Sequence, residues 1–257
     1  MTRAGRRRWL GYGALLAAVY LVSLLALFPA RAAWPLIEPR LDLPVTLEVE
    51  GISGTLWKGR ADDVRVNGRR LGALEWRWRP SALLGARLGF QLAWSEGPEW
   101  LDLALGLRRG SLRARDVRGR FEADRLQRLF DLPLLLDGTV ELDVAELGYA
   151  GGAGFRNLRG TLAWRDAAGG LPRPMPLGHY RIELEDDDGR LLARVGSAPE
   201  SPLEAAGFAD WHPASGYRVE LNLRAGADAA PALISALDAL GPRQPDGGYR
   251  VRRAGAP

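Results

Sequence analysis

The sequence predicts a mainly β protein: a single N-terminal transmembrane helix, then a curved antiparallel β-sheet domain with one or two short helices. Three observations carry this. Apolar and polar residues alternate with period two in segment after segment, Gly or Pro punctuates nearly every gap between them, and one long uncharged run occurs near the N-terminus.

That run comes first. Arg3, Arg6, Arg7 and Arg8 precede an uncharged stretch from Trp9 to Ala30 that contains "LLAAVYLVSLLALF". About 20 helical residues span the roughly 30 Å hydrocarbon core of a bilayer, so Leu10, Leu15, Leu16, Val19, Leu24, Leu25 and Phe28 are read as the membrane-facing anchor. The arginines hold the N-terminus in the cytoplasm and the remainder is exported. Trp9 and Trp34 fall near the two interfaces. A cleaved signal peptide is the rival, because "ARA" at Ala30 to Ala32 resembles a small-x-small site. The apolar run exceeds the roughly 7 to 15 residues of a signal sequence, and Arg31 sits within that site, so the anchor is read as uncleaved. The arginine pairs do not extend into a twin-arginine signal. The expected organisation is a cytoplasmic tip and anchor at 1–31 and an exported β-rich domain at 32–257.

The prolines of "AAWPLIEPRLDLP" predict an extended connector. Alternation then begins at "VTLEVE", with Val45, Leu47 and Val49 on one face and Thr46, Glu48 and Glu50 on the other. It returns in "LEWRWR", with Leu74, Trp76 and Trp78 inward, and in "LDLALGL", "VELDV", "YRIELE" and "YRVELNLR". Such alternation favours antiparallel pairing with one covered face. Helical spacing is limited to Ala123–Phe130 and to a patch from Asp228 to Gly241. In the second patch Leu233, Leu237 and Leu240 recur, Pro231 suits the first turn and Gly241 the end. A loose echo joins "GTLW" at Gly54, "GTVEL" at Gly138, "GTLAW" at Gly160 and, more distantly, "SLRARDVRGRF" from Ser111. Each is read as a glycine turn entering a strand. Around the first, Trp57 is expected on a strand, Gly59 in a turn, and the next strand at Val64 to Val66.

Composition narrows function by exclusion. The chain has 257 residues, 47% hydrophobic and 26% charged, which describes a folded protein. Its net charge is +4, but Lys58 is the single lysine and arginines alternate with acids, so no basic stripe for nucleic acid emerges. Without cysteine, disulfides, thiolate catalysis and cysteine-bound zinc are excluded. His179 and His212 are far apart in sequence, and no nucleophile elbow, zinc-helix pair or phosphate loop is present. "GYAGGAGF", from Gly148 to Phe155, lacks the glycine spacing of a nucleotide loop and is read as a turn. The acidic run Glu183 to Asp188 lacks the spacing of a calcium loop and is read as a strand end closed by Gly189. No catalytic, cofactor or metal residue is assigned. Trp57, Trp76, Trp78, Trp94, Trp100, Trp164 and Trp211 are read chiefly as sheet core. If that face is open, it forms an apolar groove for acyl chains or a partner strand.

The arginine-headed anchor, "GTLWKGRADDVRVNGRRLGALEWRWRPSALLGARL" from Gly54 to Leu88, and "LISALDALGPRQPDGGYRVRRAG" from Leu233 to Gly255 resemble the type II secretion system protein N family. The centre shares only the all-strand character, and Gly148 to Pro202 with "LPRPMPLGHY" matches nothing specific. The resemblance implies a Gram-negative inner-membrane protein with a periplasmic β domain, an accessory of the machine that exports folded proteins across the outer membrane, without catalysis or cofactor. The implied partners are other secretion proteins, in the inner-membrane platform or the outer-membrane secretin, with membrane lipids around the anchor. Gly54, Thr55, Leu56, Trp57, Gly59, Trp76, Trp78 and Pro80 are the structural or partner-binding candidates. The alternative is an anchored periplasmic protein that handles lipid in an apolar β groove.

Overall fold

The computed structural model describes residues 3–37, 47–66, 68–108, 110–130, 134–150 and 154–256. The chain divides into two compact units, Met1–Trp78 and Arg79–Pro257.

The first unit begins with the helices α1 (Arg3–Ala26) and α2 (Ala30–Ile37). Strands β1 (Leu47–Glu50), β2 (Ser53–Gly54), β3 (Lys58–Val66) and β4 (Arg69–Trp78) follow. β3 is central and pairs antiparallel with β1, β2 and β4. The alternation expected in "VTLEVE" is seen from Glu48 to Glu50, where Val49 faces Val64; Val45, Thr46 and the Leu47 side chain lie outside the described residues. Two expectations are corrected here. The start of the connector is helical through Ile37 with Pro35 inside the helix, because Ala32 and Ala33 donate their amides to the Pro29 carbonyl and start a turn. Gly59 is inside β3 and Trp57 lies in the bend before it, the reverse of the expected order.

The second unit opens with a 3-10 turn, Pro80–Gly85, followed by β5 (Leu88–Glu96), β6 (Glu99–Arg108), β7 (Ser111–Glu122) and α3 (Ala123–Phe130). β8 (Leu135–Tyr149), β9 (Phe155–Gly170), β10 (Met175–Asp187), β11 (Arg190–Ser197), β12 (Leu203–His212) and β13 (Gly216–Ala225) continue it. α4 (Pro231–Asp238) and β14 (Tyr249–Gly255) close it. From β5 to β14 every strand pairs antiparallel with the next, so the sheet is a meander in chain order. Asp188 (φ 48) and Gly189 (φ 80) form the two-residue connection of β10 to β11, as the acidic run predicts; consecutive positive φ angles match the twist of a hairpin. Gly138 and Gly160 are not entry turns but lie within β8 and β9. A Cβ on Gly160 would stand 2.6 Å from the Val144 side chain, so close packing selects glycine there. Asp116, Asn157 and Asp166 have positive φ beside register shifts, and such bulges bend and twist a strand.

Period two sorts the two faces. Val117, Val144 and Leu158 are buried on the apolar side with Ala114, and Leu101, Leu103, Leu142, Leu184 and Leu191 pack around them. The other side carries cross-strand ion pairs, among them Arg113 with Glu146 at 2.8 Å and Arg165 with Glu141 at 2.7 Å. No large side chain among the described residues is fully buried, because one sheet face has too few elements to cover it.

Both helices of this unit sit at one end of the apolar face. α3 packs on β7 and β8, and its Arg125 lies 5.4 Å over the Trp94 ring. There Trp94 stacks on Phe121 at 5.7 Å, and Phe121, Val140, Trp164 and Tyr180 follow in register. α4 packs on β13 with Leu233 and Leu237 buried, and its Asp238 accepts a hydrogen bond from the Tyr249 hydroxyl.

Candidate functional site: the turn that holds the first helix

The last carbonyls of an α-helix have no partner within the helix. At the end of α1 the Gly54–Trp57 turn takes up one of them, that of Leu25, and binds the segment that follows the helix. The indole N–H of Trp57 donates to the Leu25 carbonyl at 2.7 Å, the Leu56 amide donates to the Phe28 carbonyl at 3.0 Å, and Thr55 pairs with Pro29 in a β-bridge.

The turn is fixed by its own residues. The Thr55 amide donates to the Lys58 carbonyl at 2.8 Å, and the Lys58 amide donates to the Thr55 hydroxyl at 3.2 Å. Gly54 has φ 83, and a Cβ there would stand 2.5 Å from the Lys58 carbonyl oxygen; both facts require glycine. Gly59 is required for a different reason. Its missing side chain makes room for the Trp76 ring, which would lie 2.4 Å from a Cβ. So seated, the Trp76 indole N–H is shared between the carbonyls of Thr55 and Leu56 at 3.3 and 3.2 Å.

Trp78 completes the cluster. Its amide donates to the Trp57 carbonyl at 2.6 Å and its ring meets that of Trp57 at 4.7 Å, while its indole nitrogen is buried without a hydrogen bond among the described residues. Seven of the eight sequence candidates, Gly54, Thr55, Leu56, Trp57, Gly59, Trp76 and Trp78, thus form one structure. Pro80 belongs to the second unit and opens its 3-10 turn. Of the anchor residues, Leu15, Leu16, Val19, Leu24 and Leu25 are exposed and Phe28 is half-buried; the Leu10 side chain lies outside the described residues. Among the described residues no helix is long and apolar enough to cross a membrane.

The arrangement can hold and orient, and it brings no acid, base and nucleophile together. The histidines are engaged separately, each accepting a backbone amide at Nδ1: His179 from Asp166 and His212 from Ala214, both at 3.1 Å. In the acidic run, Glu185 is ion-paired with Arg194 and Asp186 accepts the Leu158 amide at 2.7 Å. No group of three His, Cys, Asp or Glu suited to a metal ion occurs among the described residues.

A family model described as Type II secretion system (T2SS), protein N matches residues 46–252. The chain belongs to the type II secretion system protein N family. It is similar to the type II secretion system protein N of Aeromonas hydrophila, 27% identical over 249 residues, covering 91% of this chain and 93% of the relative. With the protein of the same name from Vibrio cholerae serotype O1 it shares 32% identity over 171 residues, covering 63% and 64%. No solved structure matches the chain. The protein N match begins after α1 and includes the whole turn and its tryptophans, whereas the turn's partners Leu25, Phe28 and Pro29 precede it.

A second feature escaped the sequence reading. On the apolar face of the second unit, at the end away from α3 and α4, Leu88, Leu107, Leu112, Tyr149 and Phe155 pair in register across β5 to β9. The Phe155 ring meets Trp211 at 5.6 Å beside the β10–β11 turn, where the Phe155 amide donates to the Gly189 carbonyl, and Trp211 pairs with Tyr217 on β13. Leu88 is 50% exposed, Leu107 38%, Trp211 36% and Tyr217 44%. The signal was present, since these residues flank turns, but only register shows that they form one row.

Proposed function

We propose that this chain is an inner-membrane-anchored, non-catalytic component of the type II secretion machinery whose periplasmic β-rich part, residues 32–257, binds and positions other secretion proteins. Membership of the protein N family supports the secretion role. Support for the anchor comes from the 24 residues of α1, about 36 Å of helix, and from the absence of charge between Trp9 and Ala30. The cytoplasmic placement of the N-terminus rests on Arg3, Arg6, Arg7 and Arg8.

The observation that carries the partner-binding role is the uncovered apolar row from Leu88 to Tyr217. Rows of half-exposed Leu, Phe, Tyr and Trp are what protein interfaces use as anchors, and the unit's own helices lie at the opposite end. Docking of inner-membrane platform or outer-membrane secretin segments on this row fits the machine's need for scaffolding. The same row favours one other reading, an anchored lipid-handling protein whose apolar face receives acyl chains.

The test places a photoreactive amino acid at Leu107, Trp211 and Tyr217 in living cells, with Trp57 as an internally engaged control. Adducts to other secretion proteins from the three row positions, and none from Trp57, are expected. Adducts confined to lipid would replace the scaffold with the lipid-handling reading.

A further inference from the structure

A hollow of about 300 Å³ lies on the polar side of the second unit, beside the 3-10 turn Pro80–Gly85. Arg79, Arg87, Arg113 and Arg115 line it, and no carboxylate does. Local structure brings these four together. The Arg79 amide donates to the Gly89 carbonyl at 2.7 Å, and the turn then doubles back through Ala86 at φ 51, with the Arg87 amide donating to the Ala82 carbonyl at 3.2 Å. Arg87 thereby returns to the side of the turn from which Arg79 left. On β7, Arg113 and Arg115 stand two residues apart on one face, in register with Gly106 and Ala104 of β6. Those two residues and Gly89 are small: Ala82 packs over Gly89 and the Arg87 stem passes over Gly106, and the hollow remains beside them.

The charge is largely uncompensated. Arg113 is paired with Glu146 at 2.8 Å, and Arg79 meets only the amide oxygen of Gln91 at 3.4 Å. Arg87 and Arg115 have no hydrogen-bonded or ion-paired partner among the described residues. Elsewhere on this face arginines alternate with acids, as in the pairs of Arg165 with Glu141 and Arg252 with Glu220. Like charges gathered in a concavity focus a field that attracts an anion.

We propose that this hollow binds a phosphate group, and that Arg87 and Arg115 are its principal ligands. A carboxylate is saturated by one guanidinium fork, whereas the oxygens of a phosphate can accept from several converging forks at once. The phosphate can be carried by a lipid headgroup or be free. On the turn that closes the hollow, Leu83 is 50% and Leu84 95% exposed, which suits an amphiphile whose phosphate enters the hollow while its chains meet the leucines. This site is independent of the apolar row and of the partners bound there.

The test uses the full chain in a neutral maltoside detergent, with binding followed by calorimetry for inorganic phosphate, dihexanoyl phosphatidylglycerol and acetate. The wild type is expected to bind a phosphate compound saturably and acetate much more weakly. The variant R87Q/R115Q is expected to lose at least about tenfold in affinity, since each charged hydrogen bond removed is worth roughly that factor. R181Q, which removes an exposed arginine of β10, serves as the charge control and keeps wild-type affinity. Binding of phosphatidylglycerol without inorganic phosphate assigns the site to a headgroup, and equal binding of both shows that the phosphate alone suffices. The proposal is overturned if neither binds, if acetate binds equally well, or if R87Q/R115Q binds as the wild type does. An unchanged thermal transition confirms that the variant is folded.

Discussion

Trp57 donates its indole N–H to the carbonyl of Leu25 at 2.7 Å, joining a turn before β3 to the last residues of α1 across 32 positions of sequence. The helix end is thereby tied to a sheet through a rigid, flat side chain. Orientation of the helix and of the strands in this unit is therefore a single property.

Removing only that bond isolates its value. Trp57→Phe keeps most of the ring against Trp78 and loses the N–H, at a cost of about 1 kcal/mol. Native-state hydrogen exchange at the Leu56 amide, which donates to the Phe28 carbonyl, is expected to accelerate by roughly fivefold, the rate factor for that energy. Trp57→Ala also removes the ring contact and is expected to cost about 3 kcal/mol.

Gly59→Ala drives a methyl group into the Trp76 ring and toward the Ser53 carbonyl oxygen, 2.6 Å away. A loss of about 2 kcal/mol in denaturant unfolding is expected, typical of an overfilled site. Combining it with Trp76→Ala relieves the ring clash but not the carbonyl clash. The double variant should then be less destabilised than the two single losses added together, and strict additivity would show that Gly59 and Trp76 do not share this space.

Glu99 is only 4% exposed, accepts the Glu122 amide at 2.9 Å and is ion-paired with Arg125, which also reaches Glu96 at 2.6 Å. The guanidinium Nε meets Glu99, and a terminal guanidinium nitrogen meets Glu96; the Nε contact is charge proximity and not an aligned hydrogen bond. Arg125→Met leaves a buried carboxylate without its counter-charge and removes the cation from the Trp94 ring. A destabilisation of about 3 kcal/mol is expected, together with a change in tryptophan emission. Unaltered stability would show that α3 is held by its apolar contacts alone.

Tyr180 shares its single hydroxyl proton between the carbonyls of Leu203 at 2.7 Å and Leu177 at 3.0 Å, and burial pushes its pKa up to about 12. Between the ordinary value near 10 and that value the unfolded chain has lost the proton and the folded chain retains it. The stabilisation is thus complete below pH 10 and is lost as pH rises toward 12, amounting to about 2 to 3 kcal/mol. Unfolding midpoints measured from pH 9 to 12 should fall more steeply in the wild type than in Tyr180→Phe.

Much of the fold was legible because alternation is a local signal. "LDLALGL", "VELDV", "YRIELE" and "YRVELNLR" lie within β6, β8, β10 and β13, and Ala123–Phe130 is α3 to the residue. The candidate site was legible in part: seven residues chosen for their pattern converge. Their common partner, the end of α1, was not, because the acceptors are backbone carbonyls that any sequence possesses. The order of turn and strand around Gly59 was misread for a related reason. Glycine marks both turns and close approaches, and only Trp76, seventeen residues on in the sequence, reveals which applies.

By itself the sequence determined the class of this protein: an uncharged N-terminal run behind arginines, a succession of two-faced strands, and a glycine and tryptophan motif without catalytic groups. These follow from side-chain polarity at fixed local periods, which no distant contact alters. The tertiary structure decided which glycines are turns, that Trp57 grips Leu25, that α3 and α4 cover one end of the apolar face and leave the other open, and that four arginines meet around a hollow where Glu146, paired with Arg113, is the one acid engaged among the described residues. Those facts depend on strand register and on where the chain returns. Register is a sum over many weak pairings, so it is fixed only when the whole sheet forms.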